Sequence, residues 1–214
     1  MKNLLRFAMI ITIVAFTMPS CLKDDDNNNN TARTLTLLEK ATSLLEAQGP
    51  YEGWLYYLDK TAQKDSVTVN WTITASDSTL TVANFPIQAF SNSVNTDTIT
   101  ANILKKAPTK ELKFTLHAYY NTEFDQKYYT YSMLPTLSEE TMTLDNGEGK
   151  SDVISFKYAS YLTSYTVYGQ PYYTYPICEY YHDKSQGYIL IYELTVNNKP
   201  FSVNKVYYFY GTKD

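Results

Sequence analysis

From residue 51 onward the chain alternates apolar and polar positions with period two. Val67, Val69, Trp71 and Ile73 are separated by Thr68, Asn70, Thr72 and Thr74, and Leu112, Phe114, Leu116 and Ala118 by Lys113, Thr115, His117 and Tyr119. Successive side chains on a strand point to opposite faces, so each pattern predicts a strand with one buried face. The same texture predicts strands over 54–60, 79–85, 98–104, 127–133, 141–145, 153–158, 164–169, 173–181, 188–196 and 201–210. Asn197-Asn198 between the last two suits a tight hairpin turn, and Ala75-Ser76-Asp77-Ser78 and Asp145-Asn146-Gly147 mark two more.

Before this region, 31–47 carries a helical period instead. Leu37, Leu38, Ala41, Leu44 and Leu45 form one apolar stripe at i, i+1, i+4, i+7 and i+8, a stripe expected to lie on a sheet. Thr36 with Glu39 offers a capping box, Thr31 or Thr34 could cap an earlier start, and Gly49-Pro50 closes the segment. About ten short strands after one helix predict a mainly β domain over 31–214, an antiparallel β-sandwich or barrel with the short N-terminal helix packed on it.

The first twenty residues read as an export signal. Lys2 and Arg6 precede an apolar run from Leu4 to Phe16, which falls short of the roughly 20 residues a spanning helix needs. The run ends in Met18-Pro19-Ser20-Cys21, which resembles a bacterial lipobox whose cysteine becomes a lipidated N-terminus. Leu22-Lys23-Asp24-Asp25-Asp26 looks like the acidic tag of surface lipoproteins of the Bacteroidota, and Asn27 to Asn30 continue it as a polar tether. Residues 21–30 have too little apolar content to pack, and 22–30 fully extended reach about 30 Å. With Tyr51-Glu52-Gly53-Trp54 and Asn84-Phe85-Pro86-Ile87 added, the chain resembles small Bacteroides surface lipoproteins of a domain-of-unknown-function family. The resemblance implies a protein held on the outer membrane through acylated Cys21, facing the cell exterior, and it implies no activity.

Charge narrows the classes. Without Lys2 and Arg6, 16 of the 18 basic side chains face 22 acidic ones, a net −6 with no basic cluster, which excludes a nucleic-acid partner. The two cysteines are Cys21 and Cys178, so lipidation of the first leaves the second without an internal partner. His117 sits in the polar phase of its strand, and Glu139-Glu140 reads as a solvated loop pair. Cys178, Tyr180 and His182 would share a strand face, but no second pair of zinc ligands stands near them, so they read as a buried thiol and a strand-end histidine. Asp145 to Gly149 lacks the alternating oxygen ligands of a calcium loop. No catalytic residue, metal or cofactor is assigned.

Two features point outward. Asp65-Ser66-Val67, Asp77-Ser78-Thr79 and Asp97-Thr98-Ile99 resemble the periplasmic O-glycosylation acceptor of Bacteroidota, which makes Ser66, Ser78 and Thr98 candidate sites, although turn-forming Asp-Ser pairs arise for structural reasons too. The chain also holds 22 tyrosines, with Tyr-Tyr pairs at 56/57, 119/120, 128/129, 172/173, 180/181 and 207/208. Such a pair on a strand puts one ring on each side of the sheet. The densest run, 158–181, is interrupted by Pro171 and Pro176, which suits an edge or loop and makes Tyr168, Tyr172, Tyr173 and Tyr175 candidates for a ligand or partner surface. The alternative is a second small core under the helix. The expected function is non-catalytic binding of a glycan or peptide through exposed aromatics; the alternatives are an accessory subunit of an outer-membrane assembly and, third, a hydrolase.

Overall fold

The computed structural model describes residues 35–58, 64–92, 94, 97–118, 127–145, 149–159, 163–167, 170–174, 176–203 and 206–214, with backbone alone at 58, 64, 163–167 and 170–174. In chain order the elements are α1 (Leu37–Ala47), β1 (Gly49–Leu58), β2 (Lys64–Thr74), β3 (Thr79–Phe85), a 3-10 turn (Ile87–Asn92), α2 (Thr98–Lys106), β4 (Lys110–Ala118) and β5 (Tyr128–Pro135). Then follow β6 (Glu139–Asp145), β7 (Ser151–Tyr158), β8 (Thr163–Val167), β9 (Gln170–Thr174), β10 (Ile177–Tyr181), β11 (Lys184–Val196), β12 (Lys199–Phe201) and β13 (Val206–Lys213).

Of the two architectures open to the sequence, the chain takes the barrel. Strands β10-β5-β4-β3-β2-β1-β13-β11 are paired antiparallel in that order, and β10 pairs with β11 to close eight strands into a ring. Closure removes the sheet edges that would otherwise template aggregation. The first half of β11 pairs with β13 and β10; beyond a register shift between Ile191 and Glu193 its second half pairs with β7, which carries β6. The long strand thus joins the ring to a smaller outer layer. Between β7 and β10, β8 and β9 form a two-stranded sheet of their own, with Tyr165 opposite Tyr172 and Ser164 opposite Tyr173.

The period-two pattern fills the ring. Val69, Trp71 and Ile73, Leu112, Phe114 and Leu116, and Tyr129, Tyr131 and Met133 are all buried. Trp71 stacks on Tyr51 at 5.6 Å, meets Phe209 edge-on at 5.0 Å and donates from Nε1 to Ser185 Oγ at 3.2 Å. Its ring needs space in the wall. Gly211 supplies it: a Cβ there would lie 2.5 Å from the indole and 2.2 Å from the Glu52 carbonyl. Opposite Gly211 in register, Gly53 lets the two backbones approach in the same way, its own Cβ position lying 2.2 Å from the Tyr210 carbonyl.

Helix α1 forms where the capping box predicts. The Glu39 N–H donates to Thr36 Oγ1 at 3.2 Å while the Thr36 N–H donates to Glu39 Oε2 at 2.8 Å. Its orientation corrects the expected packing. Ser43, Leu44 and Ala47 are the buried residues, whereas Leu37, Leu38 and Leu45 stand 86, 77 and 63% exposed. The docking face consists mainly of small residues because barrel tyrosines reach the helix backbone. A helix leaves its last carbonyls without internal partners. Here the Tyr51 hydroxyl donates to Ala47 at 2.5 Å and Lys213 Nζ to the Glu46 carbonyl at 3.1 Å, while the Tyr131 hydroxyl donates to the Ser43 carbonyl at 2.8 Å.

Other sequence expectations also change. Residues 98–104, read as a strand, are helical in α2: Asp97 caps it by accepting the Thr100 N–H at 3.0 Å, and the buried pair Thr100 and Leu104 sits at i, i+4. Lys199 at 2.7 Å and that capping bond hold the Asp97 carboxyl down at about 2. The run 173–181 divides into β9 and β10, and 201–210 into β12 and β13. Glu139-Glu140 opens β6 instead of lying in a loop, and Glu140 is buried, paired with Lys110 at 3.1 Å. Asn197 and Asn198 have φ of 51° and 64°, the left-handed values of a tight hairpin turn. Of the Asp145 turn, residues 146–148 lie outside the described residues, as do 31–34 at the start of the expected helix.

Candidate functional site

The outward phase of the same strands carries the second half of the tyrosine pairs. Tyr56 faces Tyr208 across β1–β13, and Tyr208 faces Tyr188 across β13–β11, with ring centroids 6.0 and 5.2 Å apart. In the next row Trp54 lies opposite Tyr210, Tyr210 opposite Gln186, and Gln186 opposite Glu179. A third row brings Lys184 opposite Tyr181 and Tyr181 opposite Tyr128, the two rings 5.8 Å apart. Three rows of aromatic and amide side chains therefore wrap one wall of the barrel over five adjacent strands.

A chain of hydrogen bonds crosses this wall. The Tyr208 hydroxyl donates to Gln186 Oε1 at 2.6 Å, Gln186 Nε2 donates to Glu179 Oε2 at 2.5 Å, and the Tyr128 hydroxyl donates to Glu179 Oε1. A carboxylate at the centre, held by two donors, fixes the orientation of both neighbours. Burial among the rings, with the Glu179 charge behind it, pushes the Tyr188 hydroxyl up to about 12; Tyr208, also buried, is raised further for the same first reason. The rim is wetter: Trp54 is 49% and Tyr181 42% exposed. Tyr181 also carries the His182 ring against it at 3.9 Å.

Chemically, the wall offers flat apolar faces beside fixed hydrogen-bonding groups. That combination suits a ligand that is apolar on its faces and polar at its rim.

A family model for a domain of unknown function (DUF4840) matches residues 46–205. The chain belongs to that family. No curated protein and no solved structure matches it. The DUF4840 match begins in the last turn of α1 and stops just before β13, so it takes in seven strands of the ring together with β6 to β9 and β12. All of the outer wall except Tyr208 and Tyr210 lies within it.

Within the DUF4840 domain the sequence candidates have different fates. Tyr172 and Tyr173 lie on β9, where the backbone is described and the side chains are not, and Tyr168 and Tyr175 fall outside the described residues. β9 leads within three residues into β10, whose Cys178 pairs with Gly187, the neighbour of Tyr188. The tyrosine-rich hairpin is thereby rooted at the margin of the aromatic wall. Ser66 and Thr98 are exposed and Ser78 is half-buried with φ of 52°. Their aspartates have local tasks: Asp65 accepts the Ser66 N–H, Asp77 accepts the Thr79 hydroxyl, and Asp97 caps α2. Cys21 lies outside the described residues.

His182 does not share a face with Cys178. It stands in the turn after β10 with φ of 45°, exposed, whereas Cys178 is buried against Ser185 with its sulfur 3.7 Å from Oγ. Burial pushes that thiol up to about 12. Sequence reasoning missed Glu179, Gln186 and Tyr188: the first and last fell in predicted strands with no face assigned, and Gln186 fell between them. It also missed the buried Glu140, which pairs with Lys110 and lies close enough to the Tyr158 hydroxyl to help burial raise its pKa.

Proposed function

We propose that this DUF4840 protein is an exported, lipid-anchored surface protein of the Bacteroidota that binds an extended ligand, a glycan or a peptide, without turning it over. The binding reading rests on one observation: the aromatic wall, in which partly exposed rings at Trp54 and Tyr181 flank the Tyr208–Gln186–Glu179–Tyr128 chain of hydrogen bonds. Flat rings give contact area with little rotamer entropy to lose, and pre-oriented amide and carboxylate groups add direction. Tyr168, Tyr172, Tyr173 and Tyr175 extend the same surface in this reading. The anchored, exported part rests on the signal-like 1–20, Cys21 and the acidic tether.

The test is binding of the purified protein to a panel of glycans and extended peptides, repeated with Trp54→Ala and Tyr181→Ala. Loss of capture at unchanged melting temperature supports the reading, and capture that survives both substitutions counts against it. For the anchor, Cys21→Ala should release the protein from the membrane fraction or block its processing. Membrane association that is unchanged and still requires detergent would overturn acylation at that residue.

A further inference from the structure

The leucine stripe of α1 faces away from the domain that should have covered it. Viewed down the helix, Leu37, Leu38, Ala41 and Leu45 fall within about 100° of arc, and all four are exposed. Thr42, Glu46 and Glu39 lie on the far flank, and half-buried Lys40 shares the docking arc with Ser43, Leu44 and Ala47. Sequence of this kind normally turns its leucines inward. Here the inward position is taken by small residues whose carbonyls meet Tyr51 and Tyr131. An apolar stripe left outward on an anchored element implies a surface that covers it.

We infer that this stripe rests on the lipid bilayer. The inference depends on the anchored reading given above and adds to it how the domain sits. Three observations select a membrane over a protein. First, α1 is the first described element after the anchoring segment: fifteen residues lie between Cys21 and Leu37, so the helix can reach the head groups and stays within roughly 55 Å of them. Second, the helix is only about 16 Å long and about 10 Å across, so one face falls well short of the about 800 Å² per partner of a stable protein interface. A bilayer needs no such area, because the acyl chains already hold the protein and the leucines only orient it. Third, exposed lysines stand at the barrel end beside α1. Lys127 is largely exposed beside Glu46, and Lys184 is exposed opposite Thr212, the neighbour of the Lys213 that holds the helix carbonyl, among the exposed acids Glu52 and Asp183. Lysine stems can lie along an interface while their charged ends stay in water. With α1 down, the aromatic wall rises from the membrane along β1, β13, β11, β10 and β5.

The experiment uses the full chain, acylated at Cys21, reconstituted into vesicles of phosphatidylethanolamine and phosphatidylglycerol. Leu38→Cys, Leu45→Cys and, as a control at the far end of the outer layer, Thr143→Cys each give one reactive thiol, since Cys178 is buried. Each is labelled with an environment-sensitive dye. The expected result is a blue shift at 38 and 45 and loss of most of their emission to a quencher carried on the lipid chains, with the label at 143 unchanged. Aqueous emission at 38 and 45 in protein that floats with the vesicles would overturn the inference. So would a shift that follows protein concentration and not lipid, which would assign the stripe to a second copy. Protein that does not float at all overturns the anchored reading, and this inference with it.

Discussion

Tyr51 and Tyr181 hold the same side chain on opposite sides of one barrel wall, and they do different things. Tyr51 is buried, stacks on Trp71 and spends its hydroxyl on the helix carbonyl of Ala47. Tyr181 is half in water, packed loosely against Tyr128 and His182. Inside, the ring fills volume and the hydroxyl closes a helix end. Outside, the ring keeps a free face. A count of 22 tyrosines therefore carries little information about binding until each ring is assigned a side.

Substitutions should separate the two sides by size of effect. The largest loss is expected at Trp71→Ala, which empties the contact between Tyr51 and Phe209 and leaves Ser185 without its indole donor. Truncations of this kind cost about 3–5 kcal/mol, read as a shift in the urea midpoint. Next is Tyr51→Phe, which keeps the ring but leaves the Ala47 carbonyl buried and unmet, at about 1–3 kcal/mol. Because that bond fastens α1 to the barrel, hydrogen exchange should speed up in the last turn of α1 before it does in β1. An equal increase across the barrel would show that the helix is not separately fastened.

Buried hydroxyls on both sides of the wall also set a pH dependence. An unfolded tyrosine loses its proton near 10. Burial holds Tyr57 and Tyr188 neutral to about 12, and raises Tyr51 and Tyr131 further. Above about pH 10 the unfolded chain therefore binds fewer protons than the folded one. Stability that is intact below that pH declines as it rises through the folded values. Denaturant midpoints at successive pH values from 8 to 12 should stay level and then fall, with tyrosinate absorbance appearing in step with unfolding. A flat profile to pH 12 would place these hydroxyls in water.

The contrast also marks how far the sequence can be read. Strict alternation at 67–74 and 112–118 identified the strands and their buried phase, and Thr36 with Glu39 located the cap of α1. Alternation says nothing about ring closure, because the β10–β5 and β1–β13 pairings that complete the barrel join segments far apart in sequence. The stripe of α1 was legible but not its direction, which is decided by Tyr51, Tyr131 and Lys213 on distant strands. Thr98 to Leu104 has β-branched residues that favour a strand, and the Asp97 cap together with the i, i+4 pair overrides them. The aromatic wall was half legible: doubled tyrosines announce an outward ring, but the rows depend on the register between five strands.

The smallest change in stability, and the most informative one, is expected on the outside. Trp54→Ala and Tyr181→Ala remove half-exposed rings that fill no core, so each should alter stability by no more than about 0.5 kcal/mol. If the wall is the binding surface, each should nevertheless weaken capture of the glycan or peptide. Tyr172→Ala with Tyr173→Ala extends the test to β9, where cross-strand register sets Tyr172 against Tyr165 and Tyr173 against Ser164. Strand neighbours alternate as a rule, so the two positions are expected on opposite sides of the hairpin. The two single variants should therefore differ, one costing stability and the other costing only binding. Equal losses of several kcal/mol at both positions would make the hairpin a second core and confine the binding surface to the barrel wall.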